Sequence, residues 1–286
     1  MLINSKPAHK KGKKDFFIDY LKYSFLAFMA LFAAFPLLQV FFNSLRSDTS
    51  VKRSPIGLPF EMKFENYPNT WKAGGYTTAF LNSFFIAAVV IIAVLVIVGF
   101  AAYALSKLQF RGRDFCVAYF FVAISLPGFL YIVPDYFMLN KLGLVNTRAG
   151  LILVYTAGQL PFNLLLLRTF LAGIPRELEE AGKMDGCSET GVFLRITLPI
   201  AKPIFLTVAL LIFVTVWNEF LWANTFLADD AMKTVATRYV RFVGQYSSSM
   251  AFIYTASVIT IAPVIILYLI FSRRFIEGMT SGSVKG

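Results

Sequence analysis

Residues able to do chemistry are scarce in this sequence, and their types exclude most enzymes. The single histidine, His9, stands in a lysine-rich stretch near the N-terminus, and the two cysteines are Cys116 and Cys187. A Ser-His-Asp triad or a His/Cys metal site has almost nothing to be built from. Two cysteines make no disulfide framework. The pattern G-x-x-x-x-G-K-S/T does not occur, so no P-loop cradles nucleotide phosphates. Glycines gather only at Gly182–Gly191 and Gly278–Gly286, and neither stretch follows a strand pattern. Two carboxylates, Asp135 and Glu219, fall in apolar stretches, where ionisable groups mark ion pathways or paired structural sites. Amides and rings share those stretches: Asn82, Gln159, Asn163, Asn218, Tyr131 and Trp217. Such groups either line a polar cavity or bond across helices.

The elements that must position these residues are membrane helices. Of 286 residues, 57% are hydrophobic and only 15% charged, where a soluble domain carries about a quarter charged residues. The net charge of +11 then points to a membrane rather than to nucleic acid. A span needs about 20 mostly apolar residues to cross about 30 Å of hydrocarbon. Charge-free or nearly charge-free runs cover Tyr23 to Leu45, Phe84 to Ser106, Phe115 to Pro134 and Ala149 to Leu167. A fifth runs from Pro203 to Asn218 and on through Glu219 to Ala228; a sixth lies within Phe242 to Ser272, most apolar from Met250 to Phe271. The first run is too long for a signal-peptide core and lacks a small-residue cleavage site, so it reads as an uncleaved anchor.

Six spans put both termini on one side. Lysine and arginine choose that side, because the tail with Lys6, Lys10, Lys11, Lys13 and Lys14 is the densest basic cluster beside a span. Both termini are therefore expected in the cytoplasm. The tail sets topology; binding anionic headgroups is its other reading. The chain divides into a basic tail (1–22), a first span (23–45), an outside segment rich in proline and glycine (46–79), a five-helix core (80–272) and a C-terminal tail (273–286). Proline at 127, 134, 161 and 263 is expected to kink spans.

The longest cytoplasmic loop lies between spans four and five. Pro175 suits the first turn of a helix, and Glu177, Glu179 and Glu180 favour its positive end. Ile174, Leu178 and Ala181 share one face with Asp185, and Glu179 with Lys183 makes an i,i+4 pair. Asp185-Gly186 ends this helix, and Ser188 caps a second over Glu189 to Leu198. Pro199 and Pro203 lead into span five. A short helix, a glycine break and another helix make a protrusion suited to mechanical docking.

That loop, residues 174–203, resembles the EAA loop of ABC importer permeases. Glu180-Ala181-Gly182, then Asp185-Gly186, then Ile196-Thr197-Leu198-Pro199 carry the resemblance, with Gly182 where the family usually has a second alanine and Cys187 where alanine is common. Phe80-Leu81-Asn82-Ser83, Ala101 to Ser106 with Phe110-Arg111-Gly112-Arg113, Lys141 to Thr147, Trp217-Asn218-Glu219-Phe220 and the ending Phe275 to Gly286 add to it. Together they look like the second permease subunit of maltose-type carbohydrate importers, over nearly the whole chain.

The resemblance implies an all-α integral membrane protein with six transmembrane helices and the MetI-like type I importer fold. It would sit in a bacterial or archaeal cytoplasmic membrane. It implies a heterodimer with a homologous permease, two ABC ATPase subunits that use ATP and magnesium, and a periplasmic or lipid-anchored solute-binding protein. The chain would bind no cofactor or metal itself and would be no enzyme. Glu180, Ala181, Gly182, Asp185, Gly186, Leu198 and Pro199 would form the coupling loop. Sugars present hydroxyls and apolar faces, so Asn163, Asn218, Glu219, Trp217, Tyr131 and Asn82 are the candidate substrate pathway. The outside loops carry five more basic than acidic residues, which suits an acidic docking partner or an anionic oligosaccharide. A secondary transporter coupled through Asp135 or Glu219 is the alternative.

Overall fold

The computed structural model describes residues 13–280, with side chains over residues 16–271. Lys6, His9, Lys10 and Lys11 lie outside them, as do the side chains of Lys13, Lys14 and Phe275 to Gly286. Every regular element among the described residues is helical. The chain forms two compact units.

One unit takes in the described residues up to Pro68 together with Tyr246–Val258. It contains α1 (Lys13–Ser44) and α2 (Asp48–Arg53). Phe16, Phe25, Phe32 and Leu37 of α1 are all more than half exposed, as expected of a helix whose solvent is lipid. The chain leaving α1 is locked by polar groups. Arg46 is buried and donates to Asn43 Oδ1 at 2.9 Å and to the Ser54 carbonyl at 2.8 Å. Asn66 donates to the carbonyls of Ser44 and Arg46 at 2.8 and 3.0 Å. Asp48 accepts from the Ala251 backbone N–H and pairs with Lys52 at 2.5 Å.

The other unit runs from Asn69 to Gln245 and from Ile259 onward. Here α4 (Tyr76–Lys107), which follows α3 (Asn66–Ala73) in the chain, packs on α7 (Arg148–Ala172) and on α11 (Lys202–Asn218). Ile86, Val90, Val94, Val98 and Ala102 of α4 have no exposed surface. Their four-residue spacing makes one ridge of the helix surface. Leu151, Leu164, Leu167 and Leu171 of α7 and Val208 and Ile212 of α11 are buried as completely or nearly so. Between membrane helices lipid competes as an apolar solvent, so close packing rather than water exclusion holds such a core together.

Four helical stretches are long and apolar enough to cross a membrane: Phe16–Ser44, Tyr76–Lys107, Arg148–Ala172 and Met250–Phe271, the last within α14 (Met250–Thr280). Two bent pairs bring the number to six if each pair is one span. The third expected span, Phe115 to Pro134, is such a pair. α5 (Arg113–Ser125) stops, and a 3₁₀ turn (Gly128–Tyr131) leads into α6 (Ile132–Lys141) across a bend of 93°. The cause is Pro127, which lacks an N–H and drives Leu126 to an extended conformation (φ −88°, ψ 127°). Pro161 and Pro263 instead lie within unbroken helices.

The fifth expected span also differs from its sequence reading. Helix α11 ends at Asn218, Glu219 is extended, and the short α12 (Leu221–Phe226) follows. The bent pair for this span uses the residues before α11, Glu189–Ile200, at 79°. A 3₁₀ turn (Asp230–Met232) and α13 (Val235–Gln245) complete this unit up to Gln245, so the sixth apolar run begins in a separate helix.

Candidate functional site

The loop after α7 folds as two helices joined by a glycine. α8 (Arg176–Met184) begins after Pro175, with Glu177 and Glu179 in its first turn. Its C-terminus closes in a Schellman arrangement: Cys187 N–H bonds the Gly182 carbonyl and Gly186 N–H bonds the Lys183 carbonyl, both at 3.0 Å. Gly186 sits at φ +86° with open space around the position of a Cβ, so its requirement is backbone conformation and not room. Ser188 Oγ then accepts from Gly191 N–H at 3.2 Å and caps α9 (Glu189–Val192). A π-turn (Phe193–Thr197) and α10 (Leu198–Ile200) continue toward α11.

Two expectations about α8 are corrected. Leu178 and Ala181 face outward, together with Glu180, Asp185 and Met184, which is 88% exposed. The buried positions are Ile174, Glu179 and Gly182. Nor does Glu179 pair with Lys183. Lys183 reaches forward to Glu189 at 2.5 Å, and Glu179 meets Lys107 at 2.9 Å. The pair with Lys107 is buried on both sides, with the side chains 3% and 7% exposed. Lys107 Nζ also donates to the Ile174 carbonyl at 2.7 Å. The physical reason is that, among the described residues, Glu179 is the carboxylate paired with the buried ammonium at the end of α4, whereas Lys183 keeps an exposed partner.

Further ties hold the element to α4. Tyr103 donates to Glu189 at 3.2 Å, and the Phe193 ring packs on Phe100 and Tyr103 with centroids 4.8 and 5.1 Å apart. Gly182, in place of alanine, lets Ile196 Cδ1 occupy the space a Cβ would take. Leu198 is half-buried and Pro199 exposed. The arrangement is a protrusion with a fixed inner face and an open, mixed acidic and apolar outer face. Sequence reasoning missed Lys107 and Tyr103 as parts of it. Lys107 ends an apolar run and looked like a topology marker.

The candidate pathway residues divide. Trp217 has no exposed surface, donates to the Thr260 carbonyl at 3.0 Å and stacks among Phe80, Phe84 and Phe213. Asn82 donates to the carbonyls of Ala231 and Lys233 at 2.9 and 3.0 Å, anchoring the turn before α13. Asn163 is fully buried and donates to Gln159, while its Oδ1 has no partner. All three are buried within this chain. Tyr131 and Asn218 are exposed, Tyr131 on the 3₁₀ turn at the bend between α5 and α6 and Asn218 at the end of α11. Glu219 is half-buried and engaged: Trp222 and Ala223 backbone N–H groups donate to its two oxygens at 2.9 and 3.0 Å, and the Tyr155 hydroxyl donates to it as well. It thus stabilises the break between α11 and α12 and ties it to α7. Asp135 lies half-buried in the first turn of α6.

At the other end of α4 lies a polar cavity of about 120 Å³, lined by Ala73, Gly74, Phe242 and by Asp230, Arg238, Arg241 and Gln245. Arg241 pairs with Asp230, and Arg238 donates to the Asp230 carbonyl at 2.6 Å. No group of three or more His, Cys, Asp or Glu able to hold a metal ion occurs among the described residues.

The comparisons with known proteins fit this arrangement. Residues 100–280 match the family described as the inner membrane component of binding-protein-dependent transport systems. A diacetylchitobiose uptake system permease protein of Streptomyces coelicolor is 32% identical over 98% of this chain and 93% of its own length. An arabinooligosaccharides transport system permease protein of Halalkalibacterium halodurans is 33% identical over 96% of this chain and 100% of its own. The fold is similar to a chain in the crystal structure of a bacterial ABC transporter involved in import of the acidic polysaccharide alginate, with a TM-score of 0.80, 25% identity, and coverage of 94% of this chain and 100% of that one. The chain therefore belongs to the family of inner-membrane components of binding-protein-dependent transport systems, as a multi-pass permease subunit.

Proposed function

We propose that this chain is one of two homologous permease subunits of an ABC importer for a sugar or oligosaccharide, driven by separate ATPase subunits through the α8–α10 element. The observation that carries the reading is the two-sided character of that element. Its inner face is bolted to α4 by the buried Lys107–Glu179 pair, while Glu180, Ala181, Met184 and Asp185 stand open on the outer face. A rigid inner contact with a bare outer one suits a part that receives a push from a soluble partner. Glu180, Ala181, Gly182, Asp185 and Gly186, with Leu198 and Pro199, are its proposed coupling residues. ATP and magnesium would be used in the partner ATPases.

The relatives that transport diacetylchitobiose and arabinooligosaccharides support a carbohydrate substrate delivered by a solute-binding protein. The basic N-terminal tail supports placing both termini in the cytoplasm. Tyr131 and Asn218 are the exposed members of the pathway set, and Glu219 holds the helix break beside Asn218.

The test is reconstitution of the permease pair with its ATPases in liposomes. Gly186→Leu should leave insertion and assembly intact, because no atom crowds the position, yet uncouple ATP hydrolysis from uptake, because a side chain at φ +86° shifts α9 relative to α8. Uptake by Gly186→Leu at the unmodified rate would overturn the coupling role. Uptake by this chain alone under an ion gradient would overturn the reading as a whole.

A further inference from the structure

The cavity lined by Arg238 and Arg241 has no part in the coupling just described. It lies beside Gly74, two residues before α4 begins, whereas the coupling element grips Lys107, where α4 ends. A helix of 32 residues separates them by about 48 Å. If ATPases sit at the Lys107 end, the cavity opens at the face where solute arrives.

Its chemistry is cationic. Asp230 is the one acid among the residues lining it, against the guanidinium groups of Arg238 and Arg241. Lys233 adds a third cation nearby, with its Nζ turned to the Leu227 carbonyl at 2.5 Å. Burial holds the Lys233 ammonium below its usual pKa; Asp230 opposes this, and Arg241 and Arg238 act in the same direction as burial. Three cations around one carboxylate leave a local excess of positive charge. Arg238 is the enclosed member, with its side chain 16% exposed and its Nε buried without a hydrogen-bond partner. Arg241 and Asp230 are open, with side chains 56% and 50% exposed. Asp230 thus occupies the arginines as an internal, solvated counter-ion.

Size selects the occupant. Ligand pockets for small molecules are about 300–1,000 Å³, so 120 Å³ is too small for an oligosaccharide. It suits the head of a single carboxylate side chain, for which an arginine fork is the matching donor.

We infer that this cavity is a socket for a carboxylate side chain of the solute-binding protein, which enters by displacing Asp230 from Arg241. The inference rests on the importer reading above. The incoming carboxylate meets Arg241 and the unsatisfied Nε side of Arg238, and Asp230 competes with it. Docking is then tunable from this chain in both directions.

The experiment uses the complete transporter in nanodiscs with its own solute-binding protein, loaded with sugar. The readout is the concentration of that protein giving half-maximal stimulation of ATP hydrolysis. Arg241→Gln should raise this concentration about tenfold at low salt, as loss of a partly desolvated charge pair does, and leave the maximal rate unchanged. Asp230→Asn should lower it severalfold, since the competitor is gone. Arg241→Lys should fall between. All differences should shrink at about 0.5 M salt, where screening is strong. Equal concentrations for all variants, or a loss with Asp230→Asn, would overturn the socket. A shift in the sugar requirement without any shift in binding-protein concentration would also overturn it, placing the arginines on the solute instead. If the unmodified complex is not stimulated by any solute-binding protein, the importer reading fails and not the socket alone.

Discussion

The two ends of α4 carry the same kind of interaction in opposite surroundings. At the Lys107 end, an ammonium and a carboxylate are almost wholly buried, 3% and 7% exposed. At the Gly74 end, Arg241 and Asp230 pair with about half of each side chain in solvent. Depth changes what a pair can do. A buried pair has strong mutual attraction and a heavy desolvation penalty, so removing either partner strands a charge. It fixes geometry. An exposed pair is screened and weak, so it yields to a competitor. The buried pair suits the coupling role proposed for its end of the helix, and the exposed pair suits the exchange of partners proposed for the other.

The largest test of this contrast is Lys107→Ala. It leaves Glu179 buried without a cation and should cost about 3–5 kcal/mol, read as a fall in thermal stability of the detergent-solubilised permease pair. The double variant Lys107→Met with Glu179→Leu should recover most of that stability, because apolar replacement of a buried pair is close to neutral. It should still raise the ATP hydrolysed per sugar transported. Recovery of both stability and coupling would mean that any packed contact serves here and that the charges have no special role.

Ser188→Ala comes next. It removes the cap of α9 and should cost about 1 kcal/mol, visible as faster hydrogen exchange across residues 189–192 with α8 unchanged. Equal change in α8 and α9 would show that the element melts as one piece. At the open end, Arg241→Gln should alter thermal stability by less than about 1 kcal/mol, and that small difference should vanish at high salt. A salt-insensitive loss would mean that the Asp230 pair is structural, like the one at Lys107.

The smallest effect is one of pH. The Lys233 ammonium is disfavoured in the folded chain, chiefly by burial. A folded pKa below the unfolded one means that the unfolded chain binds more protons between the two values, so stability rises as pH increases through the folded pKa toward the usual lysine value. The midpoint of thermal unfolding, compared between the unmodified chain and Lys233→Met from pH 8 upward, should show this rise only in the former. Parallel curves would show that Lys233 keeps its ordinary titration.

Much of the fold was legible in residue types. The apolar runs map onto six spans once each bent pair is counted as one, and Pro175, Gly186 and Ser188 mark the boundaries of α8 and α9. These signals are local: a run of apolar side chains, a missing N–H, a backbone needing positive φ, a hydroxyl that accepts from its own helix. Leu126-Pro127 carried the signal for the break in the third span, but hydropathy smooths over it. The shared face expected for Ile174, Leu178 and Ala181 failed for a different reason. Ile174 precedes α8 and is buried, while Leu178 and Ala181 on the helix are exposed, because periodicity groups residues without fixing what each one meets. The candidate pathway residues were chosen because polar groups in apolar runs are costly. That criterion finds Asn82 and Asn163, which are buried and donate to carbonyls, as readily as Asn218, which is exposed.

The sequence by itself determined that the chain lives in a membrane, roughly where its apolar helices lie, and that a capped, glycine-hinged pair of helices interrupts the spans. These follow from transfer free energies and from hydrogen bonds that close within a few residues. Only the tertiary structure decided that Glu179 meets Lys107 across 72 positions, that Glu219 holds a helix break instead of standing free, and that Asp230, Arg238 and Arg241 enclose a cavity with Gly74. A charge's role depends on its distance to other charges and on how much water remains between them, and both are fixed only when distant segments pack.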